Sequence, residues 1–131
     1  MILPPHHRAT IIAHARAQAP KEACGVLAGV GGRVQRTYRL LNTSATPLSN
    51  YLADPEQQLR AFQGAERRGL ELLATYHSHP GSAAYPSETD IAMAYYPRAL
   101  HVIISLAGGR QQVRCFAIMS GRVTEEPITS R

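Results

Sequence analysis

Two histidines, His77 and His79, stand two residues apart in the run TYHSHP, at the end of a short apolar stretch. On a strand, period-two geometry puts both imidazoles on one face, with backbones about 6–7 Å apart. From that spacing both rings can reach one metal ion at about 2.0–2.1 Å per nitrogen. A Pro80-Gly81 turn then reverses the chain, and Asp90 follows at the start of a helix. Two imidazoles and one carboxylate form a common zinc donor set, and three protein ligands leave a fourth position open for water. Each feature also has a plain alternative. An HxH pair on a strand occurs without metal, and Ser87 to Asp90 (SETD) is an ordinary helix-capping pattern. The conjunction of paired histidines, a chain-breaking turn and a carboxylate at a helix start carries the argument.

Hydrolysis at such a centre needs a group to move protons, because water must lose one and the leaving amine must gain one. Glu22 is the candidate. It opens the apolar run EACGVLAG, where a charge is out of place except at a strand's frayed, solvated start, which is the competing explanation. Cys24 shares the Glu22 face by parity. It is read as a small buried thiol in preference to a fourth ligand. His6, His7, His14 and His101 have no partners at ligating distance in sequence and are read as structural or solvated.

Periodicity and punctuation predict the elements that carry these residues. A first helix runs from about Pro5 to Ala17 and is closed by Pro20. A buried strand begins at Glu22 and turns at Gly31-Gly32 into a returning strand, Arg33 to Leu41. A loop follows, with a short strand expected over Asn50 to Ala53. Asp54 caps a second helix that has Pro55 at its first position and stops at Gly69. Glu71 to His79 forms the third strand. Ser87 caps a helix from Glu88 to Tyr96, terminated by Pro97. Leu100 to Leu106 and Gln111 to Met119 form a hairpin through Gly108-Gly109, and Arg122 to Glu125 adds a last strand. This order predicts a mixed α/β sheet with helices packed against it.

At 131 residues the chain is expected to be one domain, residues 1–131. No apolar run approaches the roughly 18–20 residues of a membrane helix, so no membrane partner is expected. The N-terminus lacks the pattern of a secretory signal, and two cysteines are too few for a disulfide scaffold, which points to the cytoplasm. The net charge is +5, almost all of it arginine, since Lys21 is the only lysine. The arginines are dispersed and not interleaved with stacking aromatics, so nucleic acid is not expected as a partner. On a regular strand Arg33 and Arg39 would share one face and Arg36 the other.

The residues match a family pattern: a glutamate on an early strand, then HxH, seven residues, Ser, two residues, Asp. Here it reads Glu22, His77-Ser78-His79, PGSAAYP, Ser87 and Asp90. The chain resembles the JAMM (Mov34/MPN/PAD-1) zinc metallopeptidases over roughly residues 5–125, in their compact bacterial stand-alone form. That resemblance implies a single-domain cytidine-deaminase-like (MPN/JAB1) α/β fold with a curved mixed sheet flanked by helices. It implies one Zn2+ per chain, held by His77, His79 and Asp90. Glu22 would be the general base and then the general acid, and Ser87 would hydrogen-bond the developing oxyanion. It further implies cleavage of an amide bond after the Gly-Gly tail of a ubiquitin-like protein. The chain has no room for the long inserted loops of polyubiquitin-cleaving members, so a small sulfur-carrier protein is the expected partner. A catalytically silent MPN-fold binding module is the alternative, against which the intact ligand set counts. A zinc deaminase would need H-x-E and P-C-x-x-C, and neither is present.

Overall fold

The computed structural model describes residues 1–94 and 98–131. Its elements are α1 (Pro5–Gln18), β1 (Cys24–Val30), β2 (Arg33–Leu40), α2 (Pro55–Arg67), β3 (Glu71–His79), α3 (Glu88–Ala92), β4 (Leu100–Ser105), β5 (Gln112–Met119) and β6 (Arg122–Glu126), with a 3-10 turn over Ala107–Gly109 between β4 and β5. The strands form one mixed sheet in the order β2-β1-β3-β4-β5-β6. β3 and β4 run parallel, while the other neighbours are antiparallel. The parallel pair needs a crossover, and the segment between its strands contains α3.

Helices cover both faces. On one face Ile11, Ile12 and Ala15 of α1 pack with Leu27, Val34, Ala74, Tyr76, Val102 and Ile104. Gly25 makes room for this packing, because a Cβ there would stand 2.2 Å from the Tyr76 ring. The Tyr76 hydroxyl in turn hydrogen-bonds His14 Nδ1 at 2.7 Å. On the other face Ala61 of α2 packs with Cys24, Val26 and Leu40. Ala84, Ile103 and Phe116 make a third cluster under the β3–α3 segment. At the β1–β2 hairpin, Gly31 and Gly32 take φ of 61° and 75°, the positive values a tight hairpin turn demands.

Four expectations are corrected. β1 begins at Cys24, not Glu22, because Glu22 N donates to Pro47 O (2.7 Å) and Ala23 N to the Ser78 hydroxyl (2.7 Å), away from the β1–β2 ladder. Asn50 to Ala53 is loop, with a single bridge between Asn42 and Ala53. The Asn42 side chain organises that loop: its oxygen accepts from Ser44 N and Leu52 N, and its amide donates to Glu22 O and Asn50 O. The third helix ends at Ala92, with Met93 as its C-cap, short of the expected end; Tyr96 and Pro97 themselves lie outside the described residues. Finally, β2 is bulged. Gly29 pairs with Val34 and Ala28 with Arg36, which leaves Gln35 as the extra residue. Val34 therefore faces α1 while Leu40 faces α2. The same shift puts Arg33 with Arg36, and Arg39 opposite.

Candidate metal centre

β3 ends at the site. Its last alternate residues, His77 and His79, project from one face, as their spacing predicts. Their Nε2 atoms lie 3.1 Å apart. Asp90 Oδ2 stands 3.0 Å from the first and 3.1 Å from the second. Three electron-pair donors thus form a nearly equilateral triangle. A tetrahedral ion with bonds of about 2.0–2.1 Å sets its ligands about 3.3 Å apart, so the triangle fits one face of that tetrahedron to within a few tenths of an ångström. Three such atoms this close need either protons or a cation among them, and their spacing fits a divalent metal.

Local structure holds each member. Asp90 is the third residue of α3, and Ser87 caps that helix. The Ser87 hydroxyl accepts from Asp90 N (3.1 Å), and Asp90 Oδ2 accepts from Ser87 N (2.9 Å), a reciprocal capping box. Burial alone would raise the Asp90 carboxyl, but the His77 and His79 rings outweigh it and hold the group well below the usual carboxylate range. His79 Nδ1 lies 2.8 Å from the Ala83 carbonyl. A carbonyl can only accept, so Nδ1 carries a proton, which leaves Nε2 as the ring nitrogen able to ligate a cation when it is deprotonated. His77 is held differently. Its side chain is 1% exposed, and its Nδ1 has no hydrogen-bond partner among the described residues. Its ring instead stacks on Tyr51, with centroids 4.5 Å apart and planes 24° from parallel.

Glu22 reaches the same place from the start of β1 and is 5% exposed. One donor atom from each of Glu22, His77 and His79 lies within 4.8 Å of the others, so this trio is a second geometric candidate for a metal. The Glu22 carboxylate differs from that of Asp90 in one respect: its Oε1 is buried with no hydrogen-bond partner among the described residues. Burial pushes its pKa up to about 7; His79 opposes the rise and Asp90 adds to it. A carboxylate poised near neutrality with an unclaimed oxygen suits proton transfer to and from water.

Cys24 is not drawn into this cluster. Its thiol points at Leu40 O (3.7 Å), and burial, with Glu22 nearby, pushes its pKa up to about 12. Of the remaining histidines, His7 bonds Thr37, His14 bonds Tyr76, and His101 is buried on β4. Sequence reasoning missed Asn42, Tyr51 and Ser78. Ser78 is a buried hydroxyl between the two histidines that anchors the chain next to Glu22. The one available signal was its place inside the HxH triplet.

A mixed α/β sheet with helices on both faces and a His-His-carboxylate cluster at the end of a strand defines a JAB1/MPN-type hydrolase domain. The family model for prokaryotic homologs of the JAB domain matches residues 4–118, and the chain belongs to that family as a JAMM-type peptidase. It is 39% identical over 121 residues to the CysO-cysteine peptidase of Mycobacterium tuberculosis, covering 90% of this chain and 82% of the relative. It is 44% identical over 110 residues to a probable TtuB-protein conjugate cleaving protease of Thermus thermophilus, covering 84% and 70%. A solution structure from Desulfitobacterium hafniense, 36% identical, superposes with a TM-score of 0.86 over 98% of this chain and 91% of that one. A JAB1/MPN domain protein of Archaeoglobus fulgidus, 19% identical, shares the fold at a TM-score of 0.65 over 98% and 99%.

Proposed function

We propose that this chain is a zinc-dependent peptidase or isopeptidase. It hydrolyses the amide bond after the Gly-Gly tail of a small ubiquitin-like, sulfur-carrier type protein. The observation that carries the reading is the triangle of His77 Nε2, His79 Nε2 and Asp90 Oδ2, with Glu22 beside it holding an unclaimed buried oxygen. Two relatives support the substrate class, since their names concern CysO-cysteine and TtuB-protein conjugates.

In this assignment His77, His79 and Asp90 hold one zinc ion. Zinc supplies a Lewis acid that polarises a carbonyl and lowers the pKa of water. Glu22 takes one proton from the attacking water as the oxygen adds to the scissile carbonyl carbon. As the carbon–nitrogen bond breaks, Glu22 returns that proton to the departing amine. Its buried oxygen, unclaimed by any described residue, suits both directions of transfer. Ser87 stands at the cap of α3 with its oxygen already accepting the Asp90 N–H. Its own O–H is the donor we assign to the developing oxyanion, an interaction of the kind that contributes about 2.7–4 kcal/mol.

We read residues 1–131 as one domain working in the cytoplasm. Cys24 and Cys115 are both buried free thiols, which suits a reducing compartment. Among the described residues no helix is long and apolar enough to cross a membrane. The test is Glu22→Gln, which should keep the metal and lower hydrolysis of a ubiquitin-like fusion by at least a hundredfold. A Glu22→Gln protein that cleaves at the wild-type rate removes the mechanism.

A further inference from the structure

The segment from Pro80 to Pro86 links the paired histidines to the helix that carries Asp90, yet Gly81, Ser82, Ala83 and Tyr85 in it are exposed. Apolar contacts hold it down on β4 and β5. The Ala84 side chain is fully buried with Ile103 and Phe116, and the Tyr85 ring meets Phe116 edge-on at 5.3 Å. Contacts of this kind are non-directional, so they do not fix which way the segment's carbonyls point. Direction comes from Ser105, the last residue of β4, which is buried and pairs in register with His79. Its hydroxyl donates to Ser82 O at 2.6 Å and accepts from Ala107 N at 3.2 Å. Among the described residues this is the one side-chain hydrogen bond that reaches the segment from outside the metal centre.

We propose that Ser105 is a positioning residue for the metal centre, which acts by orienting the backbone carbonyl that fixes the His79 ring. The proposal rests on the metal-ligand assignment above and adds a residue outside the donor set. Ala83 is pinched between two fixed neighbours. On its N-terminal side the Ser82 carbonyl is bonded to Ser105, and on its C-terminal side Ala84 is buried. The Ala83 carbonyl, set by these two anchors, lies 2.8 Å from His79 Nδ1. A proton held on Nδ1 leaves Nε2 for the metal. Ser82 is exposed, so without the Ser105 hydroxyl its carbonyl turns to water and the Ala83 peptide is free to swing away from the ring. The ring then loses its preset orientation, and metal binding must restore it each time at a cost in affinity.

The experiment compares the wild-type protein with Ser105→Ala, Ser105→Thr and Thr37→Ala. Thr37→Ala is the control for lost stability: it removes a side-chain contact of similar length, 2.9 Å to His7 Nδ1, on the opposite face of the sheet. Zinc affinity is read by competition with a chelator. Ser105→Ala should weaken it about tenfold, the low end of the range for lost outer-shell support, while Ser105→Thr and Thr37→Ala should stay within about threefold of the wild type. In the metal-free proteins the His79 ring N–H is followed by NMR. Its exchange with water should be at least about tenfold faster in Ser105→Ala than in the wild type. Ser105→Ala that weakens zinc binding no more than Thr37→Ala overturns the proposal, as does an unchanged His79 exchange rate. A folded Ser105→Thr that binds zinc as poorly as Ser105→Ala also overturns it. If the added methyl prevents folding, the comparison of Ser105→Ala with Thr37→Ala decides. If the wild-type protein binds no zinc, the metal-ligand reading fails, and the His79 exchange rate still decides whether Ser105 positions the ring.

Discussion

Two carboxylates face the histidine pair, and the geometry makes opposite demands of them. Asp90 lies at ligand spacing from both rings, whereas Glu22 has a donor atom within 4.8 Å of them and an oxygen unclaimed by the described residues. Exchanging each for its amide separates the roles. Metal that binds only the folded state stabilises it by about 2.7 kcal/mol at a hundred times its Kd. An unfolding entropy of about 2.1 cal/mol/K per residue over 131 residues makes each kcal/mol worth about 3.6 °C. Zinc should therefore raise the Tm of the metal-free wild-type protein by roughly 10 °C at that concentration. Glu22→Gln removes no ligand in our assignment and should show the same rise within about 2 °C. Asp90→Asn replaces a ligand by a neutral amide and should show less than about 3 °C at the same zinc. Differential scanning calorimetry with and without zinc reads all three proteins. If Asp90→Asn keeps the full rise while Glu22→Gln loses it, the metal sits among Glu22, His77 and His79. Our assignment of base and ligand would then be reversed.

Three further outcomes follow from the same geometry. Tyr51→Phe keeps the stack on His77 and should bind zinc as the wild type does, whereas Tyr51→Ala should weaken zinc binding by roughly 10- to 100-fold, the range seen when outer-shell support is lost, as read by competition with a chelator. Ser78→Ala leaves the Ala23 N–H without its acceptor, which should lower stability by about 1–3 kcal/mol in urea unfolding and lower kcat by displacing Glu22. The Glu22 pKa, raised by burial from 4.5 to about 7, means that in the metal-free protein its contribution is fully present below pH 4.5 and lost as pH rises through 7. The Tm of metal-free Glu22→Gln should accordingly gain on that of the wild type across this window, by the equivalent of about 3 kcal/mol, and then level off. A gap that stays constant from pH 4.5 to 8 would show that Glu22 is not buried as described.

The parts of the fold legible in the sequence were those governed by short-range rules. β3 was bounded by a Gly before it and Pro-Gly after it, and its predicted span, Glu71–His79, is the one observed. The Asp54 cap with Pro55 behind it placed the start of α2, where Asp54 accepts from Gln57 N at 2.9 Å. The meeting of His77, His79, Asp90 and Glu22 was legible too, since two of the four share a strand face and a third sits in a capping box. What escaped depended on contacts between segments distant in sequence. The bulge at Gln35 puts Arg33 and Arg39 on opposite faces, and neither residue carries a local sign of it. Asn50 to Ala53 has residues fit for a strand, but the Asn42 side chain, bonded to Asn50 O and Leu52 N, holds it as a loop. Propensity cannot weigh a competitor of that kind.

The placement of the site follows from the topology. Among the described strands β3 and β4 form the one parallel pair, and the connection between them must cross over the sheet. In α/β sheets the crevice outside a strand's carboxyl end is where ligands collect. Here the end of β3 supplies His77 and His79, and the first turn of α3, in the crossover, supplies Asp90. Glu22 arrives from the neighbouring antiparallel strand, whose beginning lies beside the end of β3, since Cys24 pairs with His77. Three elements thus converge at one corner, because in each the side chain needed lies at or beside an element's terminus. Lengthening the β3–α3 connection by even two residues within Gly81–Ala83 should therefore weaken zinc binding more than a similar insertion at Gly31-Gly32. The first separates Asp90 from both histidines, and the second extends a distant hairpin whose two glycines have open space around them. Equal zinc affinity for the two insertions would mean that the β3–α3 connection does not set the ligand triangle.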